Sequence, residues 1–177
     1  SYGCCFEAAL AWTKPFDPAR LTHYESSQYR SRKRKYDFSN IDLYSDMYPS
    51  LERLQRYLDS NPDKPFLMCE YAHAMGNCGG FFKKYWDLIR KIPNYQGGYI
   101  WDFVDQGLRG FNEDGKQIFT YGGDYGRYPA TDHNFNCNGF IRPDREPNPE
   151  ANEYRYFMQN IWTTPVDLKK GVVEVYN

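Results

Sequence analysis

No two cysteines in the 177-residue sequence are spaced C-x-x-C, and the five present, at positions 4, 5, 69, 78 and 137, are odd in number. Neither a disulfide framework nor a structural zinc site is therefore expected, and free thiols are. Free thiols lean toward a reducing compartment. No stretch approaches the roughly 18 apolar residues of a membrane-spanning helix, and the mean hydropathy is -0.83, so no membrane partner is expected. The opening residues, Ser1-Tyr2-Gly3-Cys4-Cys5-Phe6-Glu7, show no basic region ahead of an apolar run. No secretory signal is read there, and the compartment is left open between cytoplasm and periplasm. Neither sign of charge dominates: 22 Lys+Arg against 23 Asp+Glu leave a net charge of -1. That balance argues against a nucleic-acid binder held by general electrostatics. There is no internal repeat and no low-complexity tract.

What the sequence does have in excess is aromatic residues: 17 Tyr, 12 Phe and 4 Trp make 19% of the chain. Stacking platforms for sugars or bases would use such a surplus, and the charge balance disfavours bases. The length fits one domain with a packed core. Residues 5–14 read as a helix of good formers stopped by Pro15 and Pro18. Residues 21–25 read as a short strand, and 41–48 as a second extended run. Ser50 can cap a helix in which Leu51, Leu54 and Leu58 share a face. The apolar run Pro65-Phe66-Leu67-Met68-Cys69 has strand length and ends in Glu70. Gly79-Gly80 opens a helix with Phe81, Tyr85, Leu88, Ile89 and Ile92 on one stripe, stopped by Pro93. Gly97-Gly98-Tyr99-Ile100-Trp101 is a further buried-type strand ending in Asp102. This alternation predicts an α/β fold with a parallel sheet. Because a complete eight-fold barrel takes about 250 residues, the chain is either a small open sheet or part of a barrel. From Phe111 onward Gly- and Asn-rich loops are expected. A helical or irregular stretch follows Pro149, and the alternation over 168–176 predicts a hairpin strand of a second, β-rich unit.

Four places could carry chemistry. In Cys69-Glu70-Tyr71-Ala72-His73-Ala74-Met75-Gly76-Asn77 a buried strand delivers a carboxylate at its C-terminal end, where βα barrels keep their active sites. Glu70 there is either functional or simply satisfied by an Arg or a helix N-terminus, and the neighbouring His73 and Gly76-Asn77 bring the two readings level. In Trp101-Asp102-Phe103-Val104-Asp105-Gln106, Trp101 can stack on the apolar face of a sugar or pack in the core. Asp102 and Asp105 read as structural hydrogen-bond acceptors. Tyr48 sits where the second extended run ends, so it can hydrogen-bond a catalytic carboxylate, although a core tyrosine is the simpler reading. Phe135-Asn136-Cys137-Asn138-Gly139 offers carbonyl and amide oxygens suited to a hard cation or a sugar hydroxyl, with a plain turn as the alternative. The basic run 30–35 has the composition of a polyanion patch, but the neutral chain and flanking Tyr29 and Tyr36 favour a solvated loop.

The block Glu70-Tyr71-Ala72-His73-Ala74-Met75-Gly76-Asn77 is highly specific. Together with Gln96-Gly97-Gly98-Tyr99-Ile100-Trp101-Asp102-Phe103-Val104-Asp105-Gln106, Tyr121-Gly122-Gly123-Asp124, Phe16-Asp17-Pro18-Ala19-Arg20 and Pro143-Asp144-Arg145, it resembles the β-galactosidases of glycoside hydrolase family two over residues 1–165. The resemblance implies that Glu70 is the nucleophile and Tyr48 the tyrosine hydrogen-bonded to it. It also implies that His73, Trp101 and Asn138 contact the sugar, and that the Phe135 carbonyl and Asn138 side chain hold a sodium ion. The activity it implies is retaining hydrolysis of terminal β-D-galactose from β-galactosides such as lactose. A magnesium ion is implied as well, with its ligands upstream.

The family's acid/base is the Glu of a Gly-Asn-Glu-Ser segment, and no Gly-Asn-Glu occurs in these 177 residues. Ser1-Tyr2-Gly3 is similar to the residues directly after it. The resemblance therefore implies barrel strands five to eight over residues 1–150, with a linker and the start of a β-sandwich over 151–177. Such a fragment is expected to be inactive alone, and the full-length protein to be a homo-oligomer. Glu25 is the one acid near an expected strand end that could substitute, and it follows the wrong strand. Two alternatives stay open: a sister exo-glycosidase such as a mannosidase or glucuronidase, and a non-catalytic carbohydrate-binding protein.

Overall fold

The computed structural model describes residues 2–28, 33–126 and 132–177. Helix α1 spans Cys4–Phe16, two residues past the expected end at Lys14, and carries Pro15 in its last turn. A proline this close to a helix C-terminus removes only one backbone bond, and the chain still closes with Asp17 N–H donating to Thr13 O at 3.0 Å. The strand expected over 21–25 does not form. Thr22 instead binds Asp42 with its own N–H, at 2.7 Å, and with its hydroxyl. Its carbonyl accepts from both Asp42 and Leu43 N–H, and a single 3-10 turn follows at Glu25–Gln28. These side-chain bonds take the backbone partners that a ladder would need.

The centre of the fold is a three-stranded parallel sheet in the order β1 (Tyr44–Met47), β2 (Phe66–Tyr71), β3 (Tyr95–Ile100). The crossovers are α2 (Leu51–Asp59) and α3 (Phe82–Lys91). Ser50 caps α2 as expected, its side chain accepting from Arg53 N–H. Leu54, Phe66, Met68, Tyr71, Phe82 and Tyr95 form the buried core. In α3 the expected stripe forms from Tyr85 on, with Leu88, Ile89 and Ile92 against the core, but its first member differs: Phe82 is buried, whereas Phe81 is exposed in a left-handed cap at φ 62°. Gly79 lies against Glu150, and a methyl group there would come within 2.9 Å of that side chain. This close approach fixes where the helix starts. At Gly98 a methyl group would lie 2.6 Å from Met68 Cβ, so β3 can approach β2 only through glycine.

The sheet is not regular at its centre. Between the pairs Asp46–Met68 and Met47–Glu70, β2 advances two residues for one of β1, and between Met68–Gly98 and Tyr71–Ile100 it advances three for two of β3. A bulge therefore lies at Cys69–Glu70. Beyond β3, the segments near Val104 and Ile141 run parallel through a single bridge. Two hairpins follow, both antiparallel: β4 (Leu108–Phe111) with β5 (Gln117–Thr120), and β6 (Trp162–Asp167) with β7 (Val172–Tyr176). Helix α4 (Glu150–Met158) stands between them. The first hairpin replaces an expected loop. The second matches the expected alternation, but every residue of β7 is exposed.

Part of the aromatic surplus goes into packing, while rings such as Trp12, Phe81 and Tyr99 stay exposed. Four of the six core residues are aromatic, and Tyr2, Phe6, Tyr24, Tyr36 and Phe38 form a separate ring cluster, with Phe6 and Tyr24 4.2 Å apart. Residues 29–32 of the basic run lie outside the described residues; Arg34 pairs with Glu7 and lies over Tyr36. All five cysteines are free. No helix among the described residues is long and apolar enough to cross a membrane. Leu54 is fully buried on α2, so Leu54→Ala is expected to cost about 2–5 kcal/mol of stability, read as a lower urea midpoint at unchanged slope.

Candidate active site

The strand ends assemble the residues singled out by sequence. Tyr48 follows β1 directly, in left-handed backbone at φ 47°, and Ala72 follows β2 in the same region at φ 53°. Such a conformation costs a non-glycine residue about 1–3 kcal/mol and concentrates at functional sites. Tyr48 N–H donates to Glu70 O at 2.9 Å, which sets the Tyr48 phenol beside the Glu70 carboxylate. Desolvation first, and the neighbouring Glu70 carboxylate second, push the Tyr48 hydroxyl well above its ordinary range, so it stays protonated. The charge of Asp102 adds to the same upward push, which brings the end of β3 into the group. Glu70 itself is half-buried.

His73 lies edge-on to Tyr48 at 5.8 Å and 5.4 Å from the ring of Phe135. Trp101 is tied to β2 by its N–H to Tyr71 O at 3.1 Å. Its indole N–H is buried with no hydrogen-bond partner among the described residues. The two segments 101–106 and 135–141 are laced together. Asp102 N–H donates to Asn138 O at 2.9 Å, Phe140 N–H to Asp102 O at 3.2 Å, and Gln106 N–H to Asn136 O at 2.8 Å. One oxygen of Asp102 accepts from Gln106 Nε2 at 2.7 Å, while the other is buried and has no donor. Tyr48, Glu70, His73, Trp101, Phe135 and Asn138 are thus linked through direct contacts and one shared backbone frame. Glu25 lies in its 3-10 turn, with Ser26 Oγ donating to it at 2.9 Å, and its charge reaches Cys69, next to Glu70. The Cys69 thiol is pushed up to about 11, by desolvation first and then by Glu25, Glu70 and Asp46, so it is neutral and not a nucleophile at physiological pH.

Asn138 is completely buried. Its Nδ2 donates to the Phe135 carbonyl at 2.5 Å, and its Oδ1 has no partner among the described residues. Leaving a buried acceptor unpaired costs about 1–3 kcal/mol. An oxygen-seeking cation would satisfy it, and two neutral oxygens from one turn fit a hard monovalent ion. Residues Phe135 and Asn138 therefore fit a sodium ion. No group of three His, Cys, Asp or Glu side chains converges for a metal among the described residues, so they offer magnesium no comparable donor set.

A family model described as "Glycosyl hydrolases family 2, TIM barrel domain" matches residues 1–163. The chain belongs to glycosyl hydrolase family 2. Curated relatives of this family 2 chain include a beta-galactosidase of Halalkalibacterium halodurans, 44% identical over 152 residues, which are 86% of this chain and 14% of the relative. Another, from Actinobacillus pleuropneumoniae, is 43% identical over 87% of this chain and 15% of its own length. A third, from Priestia megaterium, is 41% identical over 97% of this chain and 16% of its own length. The chain thus spans about one-seventh of the curated relatives it matches. The parallel β1–β3 sheet with its crossover helices belongs to the TIM barrel domain of family 2.

Sequence reasoning named Asp105 only as an acceptor and left Gly139 unremarked. The structure gives both a definite role: Gly139 N–H donates to Asp105 Oδ1 at 2.8 Å. A methyl group at Gly139 would fall 2.2 Å from Asp105 N and 2.4 Å from the Val104 carbonyl carbon. No sequence pattern signals a backbone-to-backbone contact between segments this far apart. Gly139→Ala is expected to destabilise this family 2 chain by about 1–3 kcal/mol or more. Gly126→Ala, which meets nothing within 4 Å among the described residues, is expected to be near-neutral in the same denaturation series.

Proposed function

We propose that these 177 residues are a piece of a retaining β-galactosidase, with Glu70 as the nucleophile. The single observation carrying this reading is the placement of Tyr48, bonded through its N–H to Glu70 O at 2.9 Å, beside a half-buried carboxylate at the C-terminal end of β2. Relatives named beta-galactosidase at about 40% identity support the substrate class. In this reading residues 1–150 are the C-terminal half of the barrel, about strands five to eight, and 151–177 a linker and the start of a β-sandwich. The parallel β1–β3 and the separate β6–β7 hairpin support that division. The first of those four strands would fall at 21–25, where no strand forms. Open sheet edges and the homo-oligomeric assembly expected of the full-length protein belong to the same proposal.

The chemistry follows from the carboxylate. Glu70 attacks the anomeric carbon as the glycosidic C–O bond breaks, leaving a glycosyl ester. A second carboxyl group, about 5–5.5 Å away in retaining enzymes, protonates the departing oxygen and then activates water to hydrolyse the ester. That group is read as lying outside these residues. Tyr48 holds the Glu70 oxygen in place before attack, since its own proton is not released at neutral pH. The Trp101 ring offers an apolar wall to a pyranose, and His73 is available to orient hydroxyls. Asn138 and the Phe135 carbonyl would hold sodium, which when bound supplies a fixed positive charge for a sugar hydroxyl. Magnesium is proposed only for the whole enzyme.

In the full-length protein Glu70→Gln is expected to lower kcat by about three orders of magnitude or more and to abolish covalent trapping by a 2-fluoro galactoside. Unchanged behaviour would favour a non-catalytic sugar-binding role, and a higher rate on a mannoside or glucuronide would move the substrate class. The 177-residue chain alone is expected to turn over no β-galactoside. A rate near that of a full enzyme would refute the assignment of the acid/base to residues outside it.

A further inference from the structure

The Asn138 turn is buried, carries an unsatisfied oxygen, and is held chiefly by one neighbouring segment. We propose that Asp105 is a positioning residue that fixes Asn138 Oδ1 and the Phe135 carbonyl as a preformed monovalent-cation site. The proposal rests on the β-galactosidase reading above and assigns to that site a residue from which no contact with sugar or ion is required.

The geometry is specific. Asp105 Oδ1 accepts from Gly139 N–H at 2.8 Å, the peptide immediately after Asn138. Asp105 N–H donates to Ile141 O, and the next residue, Gln106, donates its N–H to Asn136 O. Asp105 thus grips both flanks of Asn138, through its own carboxylate and through the backbone on either side of its side chain. Asp105 and Cys137 also line one hollow. The contact cannot relax by sliding, because Gly139 already packs backbone against backbone. Meanwhile Asn138 is fully buried and its Oδ1 finds no donor. An acceptor held in place without a partner is an arrangement that disfavours its own collapse and favours an incoming cation. The carboxylate adds a second effect: its negative charge, held on the peptide that follows Asn138, attracts a cation that the two neutral oxygens would coordinate. An asparagine at this position would keep the acceptor and lose the charge, whereas an alanine would lose both.

The experiment is sodium binding by the full-length protein, read by ²³Na relaxation and by the sodium-dependent rise in Tm against lithium and potassium controls. Asp105→Ala is expected to weaken sodium binding about 10- to 100-fold, as loss of an outer partner typically does. It should also raise KM for a galactoside more than it lowers kcat. Asp105→Asn is expected to recover part of that affinity and to fold as the parent does, which keeps the test open if Asp105→Ala does not fold. Sodium affinity unchanged in Asp105→Asn and Asp105→Ala, with only Tm lowered, would overturn the proposal by making Asp105 merely structural. Covalent trapping by a 2-fluoro galactoside separates the two levels. A parent that is trapped but binds no sodium overturns the positioning proposal alone, and a parent that is not trapped overturns the reading beneath it as well.

Discussion

The bulge at Cys69–Glu70 is the constraint on which the rest of this structure depends. In a regular strand Glu70 would share a face with Phe66 and Met68, both essentially fully buried, and Tyr71 would lie on the other. The extra residue in β2 reverses the phase after Met68. Phe66, Met68 and Tyr71 then all enter one core, and Glu70 leaves it. An ionised carboxylate kept among Leu54, Phe66 and Tyr95 would cost several kcal/mol, far more than an unpaired ladder position. Bulges beside active sites serve to re-aim a side chain in this way.

The strain accompanying the bulge falls on its neighbours. Tyr48 and Ala72, at the ends of β1 and β2, both take left-handed backbone without being glycine. They are held by the sheet: Tyr48 N–H bonds Glu70 O, and Trp101 N–H bonds Tyr71 O. The same two bonds bring Tyr48 and Trp101 to either side of the carboxylate. Met68 beneath them is locked against Gly98 and accepts from the Tyr95 hydroxyl at 3.0 Å. The core therefore offsets the local strain, and the site inherits its rigidity from packing rather than from its own polar contacts.

How far the sequence could be read follows from what kind of signal each feature leaves. The apolar run ending in Glu70, the Ser50 cap and the Leu51-Leu54-Leu58 face are local patterns, and they were legible. So was the grouping of Glu70, Tyr48, His73 and Trp101, because parallel strands deliver their C-terminal ends to one side. The Tyr85-Leu88-Ile89-Ile92 stripe of α3 was legible too, but its start was not, since Phe81 and Phe82 are equally apolar and local pattern does not choose between them. Thr22 defeated the expected strand over 21–25 by offering Asp42 two donors from one residue. The β4–β5 hairpin did leave a trace, Asp114-Gly115 between alternating residues with Gly115 at φ 72°, which a reading for Gly- and Asn-rich loops passed over. The aromatic surplus agreed with a sugar-directed family but could not be assigned residue by residue, because composition cannot distinguish a ring in the core from one that awaits a sugar.

The layer behind the site also connects it to the end of the chain. Tyr71, one residue past Glu70, packs edge-on against Phe82 and Tyr85 of α3 at 6.4 and 5.4 Å. At the other end of α3, Arg90 lies 4.3 Å over the ring of Trp162 in β6 and 5.3 Å over Trp86. Its guanidinium also donates to the carbonyls of Phe157 and Gln159, which close α4. Arginine suits this place because its planar cation stacks on rings while its N–H groups remain free to donate. The β6–β7 hairpin, exposed along all of β7, is therefore oriented through α3, the same helix that seats Tyr71. A lysine at position 90 could keep the charge but not the simultaneous stack and fork, so the direction of the hairpin depends on a helix whose opposite end steadies the strand that carries the carboxylate.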